Sequence, residues 1–226
     1  MKEADRMDSK LIELLIGGIG ETFYMVIVST LAAYLIGIPL GVLVYVTGEG
    51  GIRENRPVNM VLSLIINIVR SVPFLILLVA ILPFTRLVVG TTIGSTASIV
   101  PLVVAAAPFV ARMVESSLKE VDLGVIEAAK AMGSTDWQII RKVLIPEAGP
   151  SLLLGMTIAF ATILGYSAMA GFVGGGGLGA IAVNYGYYRY QTGVMMITVA
   201  LLVIIVQIFQ EGGIKLVNRI DRRLRS

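Results

Sequence analysis

The stretch Thr22-Phe-Tyr-Met-Val-Ile-Val-Ser-Thr-Leu-Ala-Ala-Tyr-Leu-Ile-Gly-Ile-Pro-Leu-Gly-Val-Leu-Val-Tyr-Val46 runs for 25 residues without a charge. A helix needs roughly 20 mostly apolar residues to cross a bilayer, so this stretch predicts a transmembrane helix. The whole chain has the same character, with 56% hydrophobic residues, 15% charged residues and a mean hydropathy of +0.88. Soluble domains carry about 25% charged residues. The sequence therefore predicts an all-α, polytopic membrane protein.

Four more apolar segments are long enough to span, although the second is interrupted by Arg70. We expect a transmembrane domain over residues 22–212, a lead before it (1–21) and a basic tail after it (213–226). The lead is compatible with a short interfacial helix or a disordered segment. The five predicted spans are residues 22–46, 58–82, 94–110, 150–173 and 193–209.

The distribution of Lys and Arg predicts the orientation of these spans. Five spans place the two termini on opposite sides of the membrane, and cytoplasmic loops carry an excess of positive charge. One side collects twelve Lys and Arg residues and the other five, with Arg70 inside a span. We therefore expect the N-terminus outside, the C-terminus in the cytoplasm, and residues 114–148 as one large cytoplasmic loop.

The composition disfavours most catalytic chemistry. Cysteine and histidine are both absent, which removes thiolate chemistry, the commonest metal ligand and the usual general base. We expect no bound metal or cofactor and no interaction with nucleic acid. No Asp or Glu falls inside a predicted span, and no half of the chain is duplicated. A secondary carrier driven by an ion gradient usually has such features, so it is the alternative rather than the preferred interpretation.

The glycine run Gly174 to Gly177 is not a phosphate-binding loop, because no Gly-Lys-Ser/Thr follows it and no strand precedes it. We expect a tight extracellular turn there.

Residues that start and stop helices predict two short helices in the cytoplasmic loop, which we call the knob (residues 122–146). Asp122 can cap the first helix, and Gly133 suits the left-handed position that ends it. Thr135 and Gln138 have the spacing of a capping box that starts the second helix. Pro146 is expected to stop that helix.

The first helix of the knob has a surface of small residues. Ala128 and Ala131 lie three apart on one face. Such a face can enter a groove on another protein. From composition alone, an alanine-rich connector without a partner is the commoner explanation.

The order Glu127-Ala-Ala, three residues, Gly133, nine residues, Val143-Leu-Ile-Pro146 resembles the EAA loop of permeases of ATP-binding cassette (ABC) importers. Val143 and Ile145 replace the Ile and Leu of that pattern, which are conservative changes. The resemblance implies a type I ABC importer permease fold. It also implies that the loop is a coupling helix docking in a cleft of the ATP-binding subunit. The residues implied at or near that contact are Glu127, Ala128, Ala129, Gly133 and Pro146.

Two further segments narrow the resemblance, which covers the chain from about Leu15 onward. Arg70-Ser-Val-Pro-Phe-Leu-Ile-Leu-Leu78 looks like a motif of amino-acid importers. Gly165-Tyr-Ser-Ala-Met-Ala-Gly-Phe-Val-Gly-Gly-Gly-Gly-Leu-Gly179, with Tyr185-Gly-Tyr187, is similar to methionine-importer permeases. The resemblance implies a homodimer in the bacterial cytoplasmic membrane with two ATP-binding cassette subunits, which hold ATP and Mg²⁺. It also implies an extracellular or periplasmic binding protein that delivers methionine for transport by alternating access.

Three residues are candidates for the translocation pathway: Arg70, Met156 and Met169. A charge inside a span usually faces protein or water, although an interfacial position for Arg70 is the alternative. The other eight methionines are treated as core filler. Small residues at four-residue spacing, Gly155/Ala159 and Ala161/Gly165, predict either simple helix packing or a subunit interface in the fourth span.

Overall fold

A computed structural model describes the backbone of residues 2–220 and the side chains of residues 9–219. Within this range the regular structure is entirely helical. The long helices are α1 (Lys2–Thr47), α2 (Arg56–Ser71), α5 (Ser95–Lys119), α9 (Gly149–Ala170) and α11 (Thr192–Ile220). The short helices are α3 (Phe74–Ala80), α4 (Leu82–Val89), α6 (Leu123–Ala131), α7 (Asp136–Ile139), α8 (Ile145–Glu147) and α10 (Gly177–Ile181).

Four helical stretches of the described chain are long and apolar enough to cross a membrane. A sharply bent pair, Arg56–Ser71 and Phe74–Ala80, gives a fifth if it is counted as one span. The prediction of an all-α polytopic protein with about five spans is confirmed. The four single stretches are Ser9–Thr47, Ser95–Lys119, Gly149–Tyr187 and Thr192–Arg219.

The helices extend beyond the spans predicted from apolar length. The described part of the lead, residues 2–21, is helical and continuous with the first span. At about 1.5 Å per residue α1 is roughly 69 Å long, more than twice the hydrocarbon core, so part of it projects beyond that core. Similarly α5 continues to Lys119 and α11 to Ile220, while residues 221–226 of the predicted tail lie outside the described residues. The length of an apolar segment therefore predicts which part of a helix crosses the hydrocarbon core, but not where the helix ends.

The second predicted span, residues 58–82, is wrong as one continuous helix. The α2 helix ends at Ser71, Val72 is extended (φ −81°, ψ 125°) and Pro73 caps α3. Proline lacks an N–H and disfavours helical backbone in the residue before it, so the break falls where Pro73 puts it. Arg70 therefore lies in the last turn of α2 and not in the middle of a helix.

The chain forms two compact units, each assembled from three segments. The first, which we call the turn unit, contains the glycine turn at 174–177, and the second, the loop unit, contains the knob. The turn unit comprises residues up to Leu31, Pro73–Val104 and Phe160–Phe209, and the loop unit comprises Ala32–Val72, Ala105–Ala159 and the chain from Gln210.

In the turn unit, α1 caps the N-terminus of α10. The Glu21 carboxylate accepts the backbone N–H of Gly177 at 2.6 Å. Thr22 Oγ1 accepts the buried N–H of Leu178 at 2.9 Å and donates to the carbonyl of Gly18 at 2.8 Å. The backbone of Gly177 is left-handed (φ +77°), which glycine adopts without strain. The expected tight turn is confirmed, and its extracellular placement stays a prediction.

Replacing Thr22 with Val is expected to destabilise the turn unit. Valine keeps the shape of threonine but removes the acceptor of the buried N–H of Leu178. An unsatisfied buried N–H costs about 1–3 kcal/mol. We expect the midpoint of thermal unfolding in detergent to fall by several degrees. A fall no larger than that of Ser71→Ala, at an exposed hydroxyl of α2, would contradict this role of Thr22.

In the loop unit, α1 packs closely on α5 through glycines. A Cβ at Gly37 would lie 2.6 Å from Val110 Cγ1, and one at Gly41 would lie 2.5 Å from the carbonyl oxygen of Ala111. A buried cluster of Val44, Ile66 and Ala111 then joins α2 to this pair. Small residues allow membrane helices to approach this closely, and here they bring α5 to the site described next.

Candidate coupling surface and inner cavity

The ends of the knob helices form as the sequence predicts. Asp122 Oδ1 accepts the backbone N–H two residues on at 2.7 Å and caps α6. Gly133, past the end of α6, is left-handed with φ +78°. Thr135 Oγ1 accepts the N–H of Gln138 at 3.4 Å, and Gln138 Oε1 accepts the N–H of Thr135 at 2.9 Å, which completes the capping box.

Pro146 does not stop the second helix, so that expectation is wrong. After α7 the chain continues through a π-helical turn at Ile140–Leu144 directly into α8. The backbone N–H of Ile145 donates to the carbonyl of Ile140, five residues earlier. Pro146 then lies in the first turn of α8, where a missing N–H costs little. The wide turn is what allows the helix to continue past a proline.

The knob residues implied by the resemblance divide between two faces. Glu127, Ala128, Gly133 and Pro146 are exposed. Ala129 is only 3% exposed and faces inward. Because Ala129 is already packed within this chain, it supports the knob from the inside, and Ala128 is the alanine available to a partner.

Four large apolar side chains that sequence reasoning missed are exposed on the knob. Met132 is 78% exposed, Trp137 67%, Leu123 66% and Val125 42%. Exposed apolar groups clustered in a polar loop mark an interaction site. A signal was present, since Trp137 is the only tryptophan of the chain and follows a helix cap. We define the coupling surface as Leu123, Glu127, Ala128, Ala131, Met132 and Trp137.

The loop unit also contains an open cavity of about 340 Å³, which we call the inner cavity. One face of α5, from Phe109 to Ser117, forms one wall together with Glu120 just beyond the helix, and α9 forms another. Met113 closes on α9 where Gly155 has no side chain, since a Cβ there would lie 3.1 Å from Met113 Cε. The lining residues are Arg70, Phe109, Arg112, Met113, Ser116, Ser117, Glu120, Ser151, Leu154, Gly155 and Ile158.

Of the three pathway candidates, the structure brings only Arg70 to this cavity. Met156 is half-buried on α9 and is not among the lining residues, while Met169 belongs to the turn unit and is 45% exposed. The methionine that lines the cavity is Met113. It lies beyond the predicted end of the third span at residue 110, so nothing in the sequence pattern singled it out.

The second arginine of the cavity, Arg112, is held in an ion-pair network. Its Nη1 lies 2.6 Å from Glu115 Oε2, and its Nη2 donates to Asn67 Oδ1 of α2 at 3.0 Å. Glu115 is nearly buried and also pairs with Lys119 Nζ at 2.7 Å. The guanidinium of Arg70 has no hydrogen bond or ion pair among residues 9–219. The network joins α2 to α5. Arg70 takes no part in it, so its charge has no partner within residues 9–219.

These features define a helical membrane protein with a side-chain cavity and an exposed apolar surface on its largest loop, and the comparisons with known proteins give its class. Residues 37–225 match the family model described as "Binding-protein-dependent transport system inner membrane component". The chain belongs to this family.

The similar proteins are named as methionine transport components. The chain is 52% identical over 211 residues to the "Probable D-methionine transport system permease protein MetI" of Vibrio cholerae, covering 93% of this chain and 94% of that one. It is 53% identical over 203 residues to the protein of the same name from Pasteurella multocida, covering 90% and 94%. A crystal structure of the MetNI methionine ABC transporter in inward-facing conformations matches 94% of this chain and 99% of its own with a TM-score of 0.93 and 51% identity.

Family membership decides between the two classes of transport protein that the sequence left open. The chain is the inner-membrane, multi-pass permease of an ABC importer, a transport subunit and not an enzyme. The alternative of a secondary carrier driven by an ion gradient is excluded, and the resemblance to ABC importer permeases is confirmed.

Proposed function

We propose that this chain carries methionine inward across the bacterial cytoplasmic membrane, driven by ATP hydrolysis on partner subunits. The supporting observation is the match over more than nine tenths of the chain to proteins named as D-methionine permeases. The coupling surface is consistent with it, because a passive pore needs no exposed apolar docking face in the cytoplasm.

In the proposed assembly two copies of this chain pair with two ATP-binding cassette subunits, which bind ATP and Mg²⁺. Each ATP-binding subunit receives one coupling surface, with Ala128 allowing close approach of the α6 backbone and Met132 and Trp137 filling apolar pockets. Closure of the ATP-binding subunits draws the two knobs together and turns the permease from inward-facing to outward-facing. A binding protein then delivers methionine from outside.

The test is purification of the tagged permease in detergent from cells that co-express its neighbouring genes. We expect an ATP-binding cassette subunit to co-purify in equal amount, identified by mass spectrometry. After reconstitution with the binding protein, uptake of radiolabelled D- and L-methionine should depend on ATP. A homo-oligomer without an ATP-binding subunit would overturn the proposed assembly. A complete complex that does not take up methionine would overturn the proposed substrate.

We also propose that the N-terminus is outside and the C-terminus in the cytoplasm, supported by the excess of Lys and Arg on one side. The chain has no cysteine, so single cysteines can report on sidedness directly. In intact cells we expect an impermeant maleimide to label Tyr190→Cys, at a side chain 88% exposed, and to label Lys130→Cys on the knob only after permeabilisation. The reverse pattern would invert the orientation.

A further inference from the structure

The inner cavity contains one positive charge that nothing in the described chain neutralises. Arg70 lies in the last turn of α2, immediately before the break at Val72 and Pro73, and its side chain is exposed to the cavity. Neither a hydrogen bond nor an ion pair engages its guanidinium within residues 9–219. An ionised group inside a membrane segment is costly unless it meets water or an opposite charge.

The contrast with Arg112 shows that this arrangement is specific to Arg70. Both guanidinium groups line the same cavity, but that of Arg112 is already paired with Glu115 and bonded to Asn67. The acidic residue that lines the cavity is Glu120, which directly follows the end of α5 at Lys119. The lining therefore combines a cation on α2 that has no partner within residues 9–219 with one carboxylate just beyond the end of α5.

Apart from three serines, at positions 116, 117 and 151, the remaining lining residues are apolar. They are Phe109 and Met113 of α5 and Leu154, Gly155 and Ile158 of α9, with Met113 packed closely on Gly155. A cavity of about 340 Å³ is within the range of small-molecule sites, which are mostly apolar with a few convergent polar groups. A ligand that suits this site has an anionic end and an apolar part.

We propose that the inner cavity is a transient substrate site in which Arg70 binds the α-carboxylate of the transported amino acid. This inference rests on the proposed function. A guanidinium pairs with a carboxylate through two parallel hydrogen bonds, and both groups are ionised at neutral pH, so no proton is transferred. The thioether side chain of the substrate packs against the apolar walls, with Met113 nearby.

The experiment uses the reconstituted transporter with its ATP-binding subunits and binding protein, and compares Arg70→Gln and Arg70→Lys with the wild type. Uptake of radiolabelled L-methionine and hydrolysis of ATP are measured together at saturating methionine-loaded binding protein. We expect Arg70→Gln to lower methionine transported per ATP at least about tenfold, with ATP hydrolysis within about twofold of the wild type. Arg70→Lys keeps the charge without the paired geometry and should fall between them.

The matched control is Arg86→Gln, at an exposed arginine of α4 outside the inner cavity, which should transport as the wild type does. An unchanged ratio of methionine to ATP in Arg70→Gln would overturn the site and leave the proposed function standing. Equal losses of uptake and ATP hydrolysis in both Arg70 variants would assign Arg70 a structural role instead. A defect seen only in vesicles with anionic lipid would make a lipid phosphate the ligand and also overturn it. A wild-type complex that hydrolyses ATP but takes up no methionine would overturn the proposed function itself.

Discussion

Ala128→Trp is expected to abolish ATP-driven methionine uptake while the chain still folds and inserts. Ala128 is exposed on α6, so an indole ring there can extend into solvent without entering the core of this chain. It would instead hold the α6 backbone away from the groove of the ATP-binding subunit, since close approach is what a small residue permits. We expect uptake to fall by more than about twentyfold and co-purification of the ATP-binding subunit to be lost, because interface cores tolerate such a wedge poorly.

The control is Ala200→Trp, at an exposed position of α11 far along the chain from the knob. It adds the same bulk and should leave uptake and co-purification unchanged. Normal uptake in Ala128→Trp would refute the docking role of this face. The variant is cleaner than Gly133→Trp, which would also strain a backbone held at φ +78°.

Gly171→Ala is expected to cost about 3 kcal/mol of folding free energy, the upper part of the usual range for overpacking. A Cβ at Gly171 would lie 2.6 Å from the backbone N of Ala180 and contact the carbonyl of Gly179 more closely still. Backbone atoms cannot rotate away as a side-chain end can, so α10 must shift. For a chain of this size we expect the unfolding midpoint to drop by about 6–12 °C, measured by thermal denaturation in detergent.

Gly165→Ala is the matched comparison, because a Cβ there meets nothing within 4 Å although Gly165 lies on α9, six residues earlier. It should be neutral or slightly stabilising, since alanine favours helix over glycine. Equal destabilisation of the two variants would show that helix propensity and not close packing governs these glycines.

Local features of the knob were predictable because they depend on a few neighbouring residues. The cap at Asp122 and the capping box of Thr135 and Gln138 use hydrogen bonds that span two or three positions. Pro73 was also a signal for the break in the second span. The break was not predicted because the span was assigned from the length of the apolar segment alone. The prediction that Pro146 stops the helix was wrong because the π-helical turn before it depends on the packing of the segments on either side.

Features that depend on tertiary packing were not predictable from one sequence. Nothing local distinguishes Ala128 from Ala129, yet the first is exposed and the second buried. The bond from Arg112 to Asn67 joins residues 45 positions apart, and with the ion pair to Glu115 it distinguishes Arg112 from Arg70, whose guanidinium has no partner within residues 9–219. Helical periodicity indicates which residues share a face, but only packing decides which face is covered.

The family model begins at residue 37, partway along α1, whereas the acceptors that cap α10 are Glu21 and Thr22. The shared core of the family therefore relies, in this chain, on a segment that the family description does not include. Relatives that differ in this first segment must satisfy the same backbone N–H groups in another way, or carry a different turn. We therefore expect that exchanging this segment between relatives will preserve folding only where the new segment keeps hydrogen-bond acceptors at the positions of Glu21 and Thr22.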